Sequence, residues 1–149
     1  MKKIILITIF ILVALPLFAS DPWELIVFYN NDRHGGIDKS FATFMNPETP
    51  PPLGRLSSEY AVVKKMREYA EEKGYGFVYL DQGDFWQGEP VGSLTDGATI
   101  VEAYNRLKPN AVTIGNHEFD SGHENVDKLI KMAEFPMLGG NIFKDKEGE

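Results

Sequence analysis

Three short polar segments of this sequence carry residue types that could hold a metal ion. They are NNDRHGG at 30–36, DQGDFWQG at 81–88 and GNHEFD at 115–120. Carboxylate, imidazole and amide ligands form a mixed oxygen and nitrogen set, which suits Zn²⁺, Mn²⁺ or Fe better than Ca²⁺ alone. Each motif taken singly is common in unrelated proteins, so the hypothesis depends on whether the three segments meet. The candidate ligands are Asp32, His34, Asp84, Asn116 and His117.

The elements that precede these segments predict that they do meet. Each polar segment follows a short apolar run, at 24–30, 77–80 and 111–114, and we interpret these runs as buried strands. A weaker fourth strand is predicted at 135–140, where Pro136 restricts it to a strand start or a sheet edge.

Helical periodicity fills the intervals between the strands, with apolar positions that recur at helical spacing. These positions are Val62, Val63, Met66, Tyr69 and Ala70, then Ile100, Val101, Tyr104 and Leu107, then Val126, Leu129, Ile130 and Ala133. Gly74 and Pro109 provide the stops of the first two helices. Alternating strands and helices predict an α/β fold with a largely parallel sheet, whose strands present their carboxyl ends at one edge.

The local spacing suggests how each side chain is presented. Asp32 and His34 are two residues apart on chain that leaves a strand, and strand alternation would point both the same way. Gly83 permits a tight turn directly before Asp84.

The segment HEFDSGH superficially resembles the helix of zinc proteases, but that helix needs histidines at positions i and i+4. His117 and His123 are six residues apart, so we reject this interpretation. Ser121 and Glu124 fit a capping box, which predicts that a helix begins there and that His117 and Asp120 precede it. His123 would then lie in the first turn, in a neutral surface role.

Composition limits the function classes. The chain has 149 residues, the length of one domain, and its net charge of −7 argues against general affinity for nucleic acid or anionic membranes. It has no cysteine, which excludes disulfides and a thiol nucleophile within this sequence.

The first residues are typical of a secretory signal. A basic MKK start is followed by an apolar run at 4–18 and then by a polar segment. We predict a signal peptide at 1–20 with cleavage near position 20, the alternative being an uncleaved anchor. Residues 21–149 would then form an exported chain without stable membrane association.

The segment from Gly35 to Arg55 contains four prolines and has no convincing periodicity. Loops of this length are often functional lids, and a surface insertion without function is an equally good interpretation.

The segments YNNDRHGG, DQGDFWQGEPVG and NAVTIGNHEFDSG resemble successive signatures of the 5′-nucleotidase / 2′,3′-cyclic phosphodiesterase family, within the calcineurin-like dinuclear metallophosphoesterases. The resemblance extends over residues 24–141 and includes LGRLSSEYAVVKKMRE. It implies a four-layer α/β/β/α sandwich, which would be incomplete here. It also implies a periplasmic, secreted or cell-surface location, in agreement with the predicted signal peptide.

The resemblance also implies roles for individual residues. Asp32 and His34 would bind a first metal, Asp84 would bridge two metals, and Asn116 would bind the second. His117 would be a catalytic residue near the leaving group, oriented by Asp120. The cofactors would be two divalent ions (Zn, Mn, Fe or Mg). The activity would be hydrolysis of phosphate esters of nucleotides by a metal-activated hydroxide, on a small-molecule substrate. No substrate-binding residue is assigned.

Members of this family use further histidines, including a G-H-x-H-like element, and a C-terminal nucleotide-recognition domain. No histidine follows His123 in this sequence. We therefore expect that residues 21–149 are the N-terminal part of a metallophosphoesterase domain and are inactive alone. The alternatives are a secreted metal-binding or interaction module, and a non-functional truncated product.

Overall fold

A computed structural model describes residues 23–38, 40–54 and 56–143 of the chain. The predicted signal peptide at 1–20 lies outside these residues. Within the described part, none of the helices combines the length and the apolar character needed to span a bilayer.

Four short strands form one parallel sheet in which neighbours in space are neighbours in sequence. The last strand lies at an edge, as Pro136 predicted, and the α/β class with a parallel sheet is confirmed. The elements in chain order are β1 (Leu25–Asn30), α1 (Leu56–Lys73), β2 (Gly76–Asp81), α2 (Pro90–Ser93), α3 (Ala98–Leu107), β3 (Ala111–Thr113), a 3₁₀ turn (His117–Phe119), α4 (His123–Met132) and β4 (Met137–Leu138).

The core lies between one face of the sheet and the helices. Tyr79 of β2 and Val112 of β3 are fully buried against side chains of α1, α3 and α4. The helical members of this cluster are Val63, Ile100, Val101, Tyr104, Leu107 and Leu129. Val63 belongs to the predicted face of α1 and the others to the predicted faces of α3 and α4, so helical periodicity located this part of the core correctly.

The other face of the sheet is open, so the prediction of buried strands is correct for one face only. Burial alternates along β1, so that every second residue is exposed. Exposed apolar side chains of this open face come from three strands, with relative exposure from 37% at Leu80 to 68% at Tyr29. They are Leu25, Val27, Tyr29, Leu80 and Leu138. The described residues therefore form one helical layer and one sheet, two of the four layers that the family resemblance implies.

The helix ends follow the sequence only in part. Gly74, with a φ of +70°, follows the last residue of α1 as predicted. The prediction of a capping box is wrong, because the N-cap residue of α4 is Gly122 and no side chain caps the helix. The hydroxyl of Ser121 instead donates to Oδ1 of Asp96 at 2.7 Å, which holds the start of α4 against the turn before α3.

The described residues between Gly35 and Leu56 contain no helix or strand, only an isolated antiparallel bridge between Phe41 and Pro52. Ala42 is fully buried and donates its N–H to the carbonyl of Pro51 at 2.9 Å. The loop is thus folded back on itself, and whether it acts as a lid stays a prediction.

Candidate metal centre

The three polar segments meet at the carboxyl edge of the sheet, as a parallel sheet predicts. One donor atom each from His34, Asp84 and His117 lies within 4.8 Å of the other two. The imidazole rings of His34 and His117 stand edge to face with centroids 5.1 Å apart. All three residues are half-buried, so the cluster is reachable from solvent.

The segment after β1 presents its side chains through a turn of unusual backbone conformation. Asp32 and His34 both have a φ of 49°, in the left-handed region. The argument from strand alternation is therefore wrong, although Oδ1 of Asp32 lies 3.8 Å from Nε2 of His34. This conformation is held by the next segment, since the N–H groups of Asp32 and His34 donate to the carbonyls of Gly83 and Asp84 at 3.1 and 3.0 Å.

The orientation of the His34 ring is fixed by a second residue. Its Nδ1 donates to the carbonyl of Gln87 at 2.8 Å, since a carbonyl can only accept. Nε2 is then the nitrogen with a lone pair, which is the arrangement of a metal-binding histidine whose other nitrogen is held by the protein.

Asp84 lies where the segment after β2 contacts the segment after β3. Its Oδ1 accepts the backbone N–H of His117 at 3.0 Å. A Cβ atom on Gly115 would lie 2.3 Å from the same oxygen, so only glycine fits beside this carboxylate. Gly83, with a φ of +90°, is equally constrained, because its Cβ would lie 2.6 Å from the nitrogen of Gly115. The glycines of both motifs therefore permit a contact that brings Asp84 and His117 together.

His117, the first residue of the 3₁₀ turn, is paired with Asp120, which directly follows the turn. Its Nδ1 donates to Oδ2 of Asp120 at 2.8 Å. This hydrogen bond raises the pKa of His117 above its usual value, against a smaller opposing effect of desolvation. The pair stabilises the fold below the ordinary pKa of histidine, and that contribution is lost as the pH rises through the raised pKa.

We expect that Asp120→Asn lowers the pKa of His117 in the metal-free protein, because the substitution removes the charge that favours the imidazolium. An NMR titration of the ring protons in the presence of EDTA measures this. Glu124→Gln is the matched control, since Glu124 contacts His123, at 3.3 Å, and should leave the titration of His117 unchanged. An unchanged titration in Asp120→Asn would show that the pair does not persist in solution.

The two remaining candidate ligands lie at the rim of the cluster. The side chain of Asp32 is 56% exposed, and Asn116 is exposed at the residue before the 3₁₀ turn. His123 is exposed as expected. Phe85 and Trp86 are buried packing residues, and Nε1 of Trp86 is the buried side-chain donor that lacks a partner within the described residues.

Sequence reasoning missed Glu118, which follows the histidine of GNHEFD and is fully buried. Its carboxylate accepts three backbone N–H groups, from Asp84, Phe85 and Gly115. Burial raises the pKa of Glu118, and these three hydrogen bonds oppose the rise. The available signal was a carboxylate directly after His117 to which no role had been assigned.

Sequence reasoning also missed Arg33, which lies between two candidate ligands and turns away from them into the interior. Its guanidinium pairs with the carboxylate of Glu59 in α1 and donates from Nε to the hydroxyl of Tyr104 in α3 at 3.0 Å. Burial alone would lower the pKa of Arg33, but Tyr104 and Glu59 outweigh it and the net shift is upward.

The hydrogen bonds continue from Arg33, through Glu59 and Tyr104, to two residues of β2. The hydroxyl of Tyr79 donates to Glu59 at 2.6 Å, and the hydroxyl of Tyr104 donates to Asp81 at 2.6 Å. Asp81 in turn accepts the N–H of Gly83 at 2.9 Å. This buried network thus connects the segment of Asp32 and His34 to the segment of Asp84 through the interior. Its members are Arg33, Glu59, Tyr79, Tyr104 and Asp81.

The donor set fits a divalent metal ion. Each of the two imidazoles has one nitrogen held by the protein, and a carboxylate belongs to the same cluster. Such nitrogen and oxygen donors suit zinc, manganese and iron, and neither thiolate nor thioether takes part.

The chain is similar to known nucleotidases, although no family profile matches it. It is 31% identical over 126 residues to the human 5′-nucleotidase, and the aligned part covers 83% of this chain and 21% of the relative. It is 29% identical over 125 residues to a snake venom 5′-nucleotidase of Crotalus adamanteus, with 83% and 21% covered.

The fold comparison agrees. The solved structure of the NAD nucleotidase of Haemophilus influenzae superposes with a TM-score of 0.69 at 25% identity, covering 82% of this chain and 21% of that one. The chain therefore spans about a fifth of the length of the relatives that it matches.

Proposed function

We infer the function of this chain from its membership of the 5′-nucleotidase family of metallophosphoesterases, to whose N-terminal part it corresponds. We propose that it supplies part of the catalytic centre of an enzyme that hydrolyses phosphate esters of nucleotides. The single observation that supports this most strongly is the cluster of His34, Asp84 and His117, with Asp120 behind His117.

We propose for each residue the role that the family resemblance implies. His34 and Asp32 would hold one divalent ion, Asp84 would lie between two ions, and Asn116 would serve the second. Two bound divalent ions would supply an activated water at neutral pH and would neutralise charge on the phosphoryl oxygens. The ions would be drawn from Zn, Mn, Fe and Mg, and the imidazole donors favour the first three over Mg.

His117 is the candidate for proton transfer. Because Asp120 favours its imidazolium, His117 can donate a proton from Nε2 to the departing alkoxide of the ester. Asp120 holds the ring in the orientation that this transfer requires, as a third group does for other catalytic histidines.

We propose export as the cellular context and a small nucleotide ester as the substrate. The relatives named 5′-nucleotidase support the substrate class, and a relative from snake venom supports a secreted setting. The predicted signal peptide at 1–20 and the absence of cysteine in the sequence are compatible with both. The chemical identity of the nucleotide would depend on residues outside the cluster.

We further propose that residues 21–149 are the N-terminal part of a longer enzyme. The open sheet face and the coverage of about a fifth of the relatives support this. The nucleotide sequence after Glu149 tests it: an open frame that encodes further histidines with a G-H-x-H element is the expected result. An in-frame stop together with an intact secreted polypeptide would favour a metal-binding or interaction module, and the absence of any polypeptide would indicate a non-functional product.

The chain alone should have little or no phosphatase activity, because the proposed metal shells would lack the family's further histidines. We expect no turnover above background when the purified chain is assayed with AMP and with a phosphate bis-ester in Mn²⁺ or Zn²⁺. Asp84→Asn is the control for a contaminating phosphatase. Robust turnover that Asp84→Asn abolishes would show that the cluster seen here is catalytically sufficient.

A further inference from the structure

Glu118 occupies the middle of the 3₁₀ turn His117–Phe119 and is fully buried, although both neighbours are partly accessible. Its side chain turns inward, toward the backbone of the segments that contain Asp84 and Gly115. A buried carboxylate is costly unless its oxygens are paired. The pairs that Glu118 makes are therefore what permits a charged residue at this point.

All the pairs that the structure gives the Glu118 carboxylate are backbone N–H groups of the two segments that form the centre. Oε2 accepts from Asp84 at 2.8 Å and from Gly115 at 2.7 Å, and Oε1 accepts from Phe85 at 2.9 Å. Two of these donors belong to the segment after β2 and one to the segment after β3. A single side chain thus joins two segments that are more than thirty residues apart in sequence.

The junction bears directly on the separation of Asp84 and His117. The backbone N–H of His117 reaches Oδ1 of Asp84 at 3.0 Å only while the turn that contains Glu118 lies against the segment that contains Asp84. We propose that Glu118 is a positioning residue that fixes the Asp84 carboxylate and the His117 imidazole relative to each other. This inference rests on the proposed function, in which these two groups belong to the catalytic centre.

Glutamine cannot replace glutamate at this position without the loss of a hydrogen bond, although the two side chains have the same shape. Both ends of the carboxylate accept from N–H groups, whereas the amide of glutamine accepts at one end and donates at the other. In Glu118→Gln, an NH₂ group must therefore face either the N–H of Phe85 or the N–H groups of Asp84 and Gly115. At least one donor is left without an acceptor in a buried place.

The first test is amide hydrogen exchange of the full chain without metal. In Glu118→Gln we expect the amides of Asp84, Phe85, Gly115 and His117 to exchange about tenfold faster or more, because a buried donor without an acceptor opens more readily. Amides of the β1–β2 ladder should keep their rates. Glu124→Gln, the same change on an exposed glutamate of α4, is the matched control and should alter none of them.

The second measurement is Mn²⁺ binding followed by electron paramagnetic resonance. We expect Glu118→Gln to bind Mn²⁺ about tenfold more weakly or worse, as for other residues that orient metal ligands. Val101→Ala, a change in the buried face of α3, supplies a variant that is destabilised without this effect. If Glu118→Gln does not fold, scalar couplings across the hydrogen bonds from the carboxyl carbon of Glu118 to its three donor nitrogens are measured in the unchanged chain.

The outcomes separate this inference from the proposed function. The positioning role would be overturned by equal amide exchange rates in Glu118→Gln and Glu124→Gln, or by exchange that is faster across the whole chain. It would also be overturned by absent couplings, or by a loss of Mn²⁺ affinity that Val101→Ala shares. Failure of the unchanged chain to bind Mn²⁺ would show that the residues of this chain do not hold the ion by themselves, which bears on the proposed metal centre and not on the positioning role. The difference in amide exchange rates between Glu118→Gln and Glu124→Gln would then still decide the role of Glu118.

Discussion

Arg33→Met is expected to lower the free energy of unfolding by about 3–5 kcal/mol, because it removes one partner of a buried ion pair and leaves the other. The side chains of Arg33 and Glu59 are only 6% and 14% exposed. After the substitution, Glu59 keeps the hydroxyl of Tyr79 but loses its only cationic partner among the described residues. Such a loss is a large part of the roughly 5–15 kcal/mol that stabilises a typical domain.

Urea denaturation of the chain, followed by circular dichroism, measures this loss as a shift in midpoint at unchanged slope. Arg67→Met is the matched control. Arg67 also donates to a protein group, the carbonyl of Lys108, and lies over the ring of Phe77 at 5.4 Å, but its site is more exposed and it neutralises no buried carboxylate. We expect it to cost about 1 kcal/mol.

A second substitution tests the physical cause. Glu59→Gln in the Arg33→Met background removes the unpaired charge and should restore part of the stability, so that the two changes are not additive. Additive losses would mean that the cost arises from packing of the arginine stem. An Arg33→Met chain as stable as the unchanged one would show that the buried network does not hold the fold.

The same network shows why the sequence predicted the elements better than their junctions. Helical and strand periodicity are local, so β1, β2 and the faces of α3 and α4 could be predicted, and the parallel sheet then brought the three polar segments together. The partners of Arg33 are 26 and 71 residues away, and no local pattern indicates them. Only the packed fold shows that this arginine faces inward.

The left-handed turns were missed for a related reason. Alternation along an extended chain predicted a common direction for Asp32 and His34, but their conformation is held by N–H groups that donate to the segment after β2. Glu118 is a further case, since its acceptor role is visible only once Gly115 and Asp84 are in contact. The open sheet face was missed because an apolar strand sequence does not reveal which of its faces a helix covers.

His117→Ala should lower turnover of the longer enzyme by about 10²–10⁴-fold while its metal content is retained, because proton transfer by a positioned side chain contributes that much. The geometry makes this a strict test. Nε2 of His117 is turned away from Asp120, and a donor atom of His117 lies within 4.8 Å of donors of His34 and Asp84. The same position would therefore allow His117 to bind metal.

The two roles separate when turnover and metal content are measured on the same preparations, by phosphate release from AMP and by mass spectrometry of bound metals. Asp84→Asn is expected to lose both, since Asp84 is the proposed bridging ligand. His123→Ala, a change of the exposed histidine in α4, should lose neither. If His117→Ala loses metal and turnover in parallel, as Asp84→Asn does, His117 is a ligand, and Asp120 serves to hold a metal-binding ring.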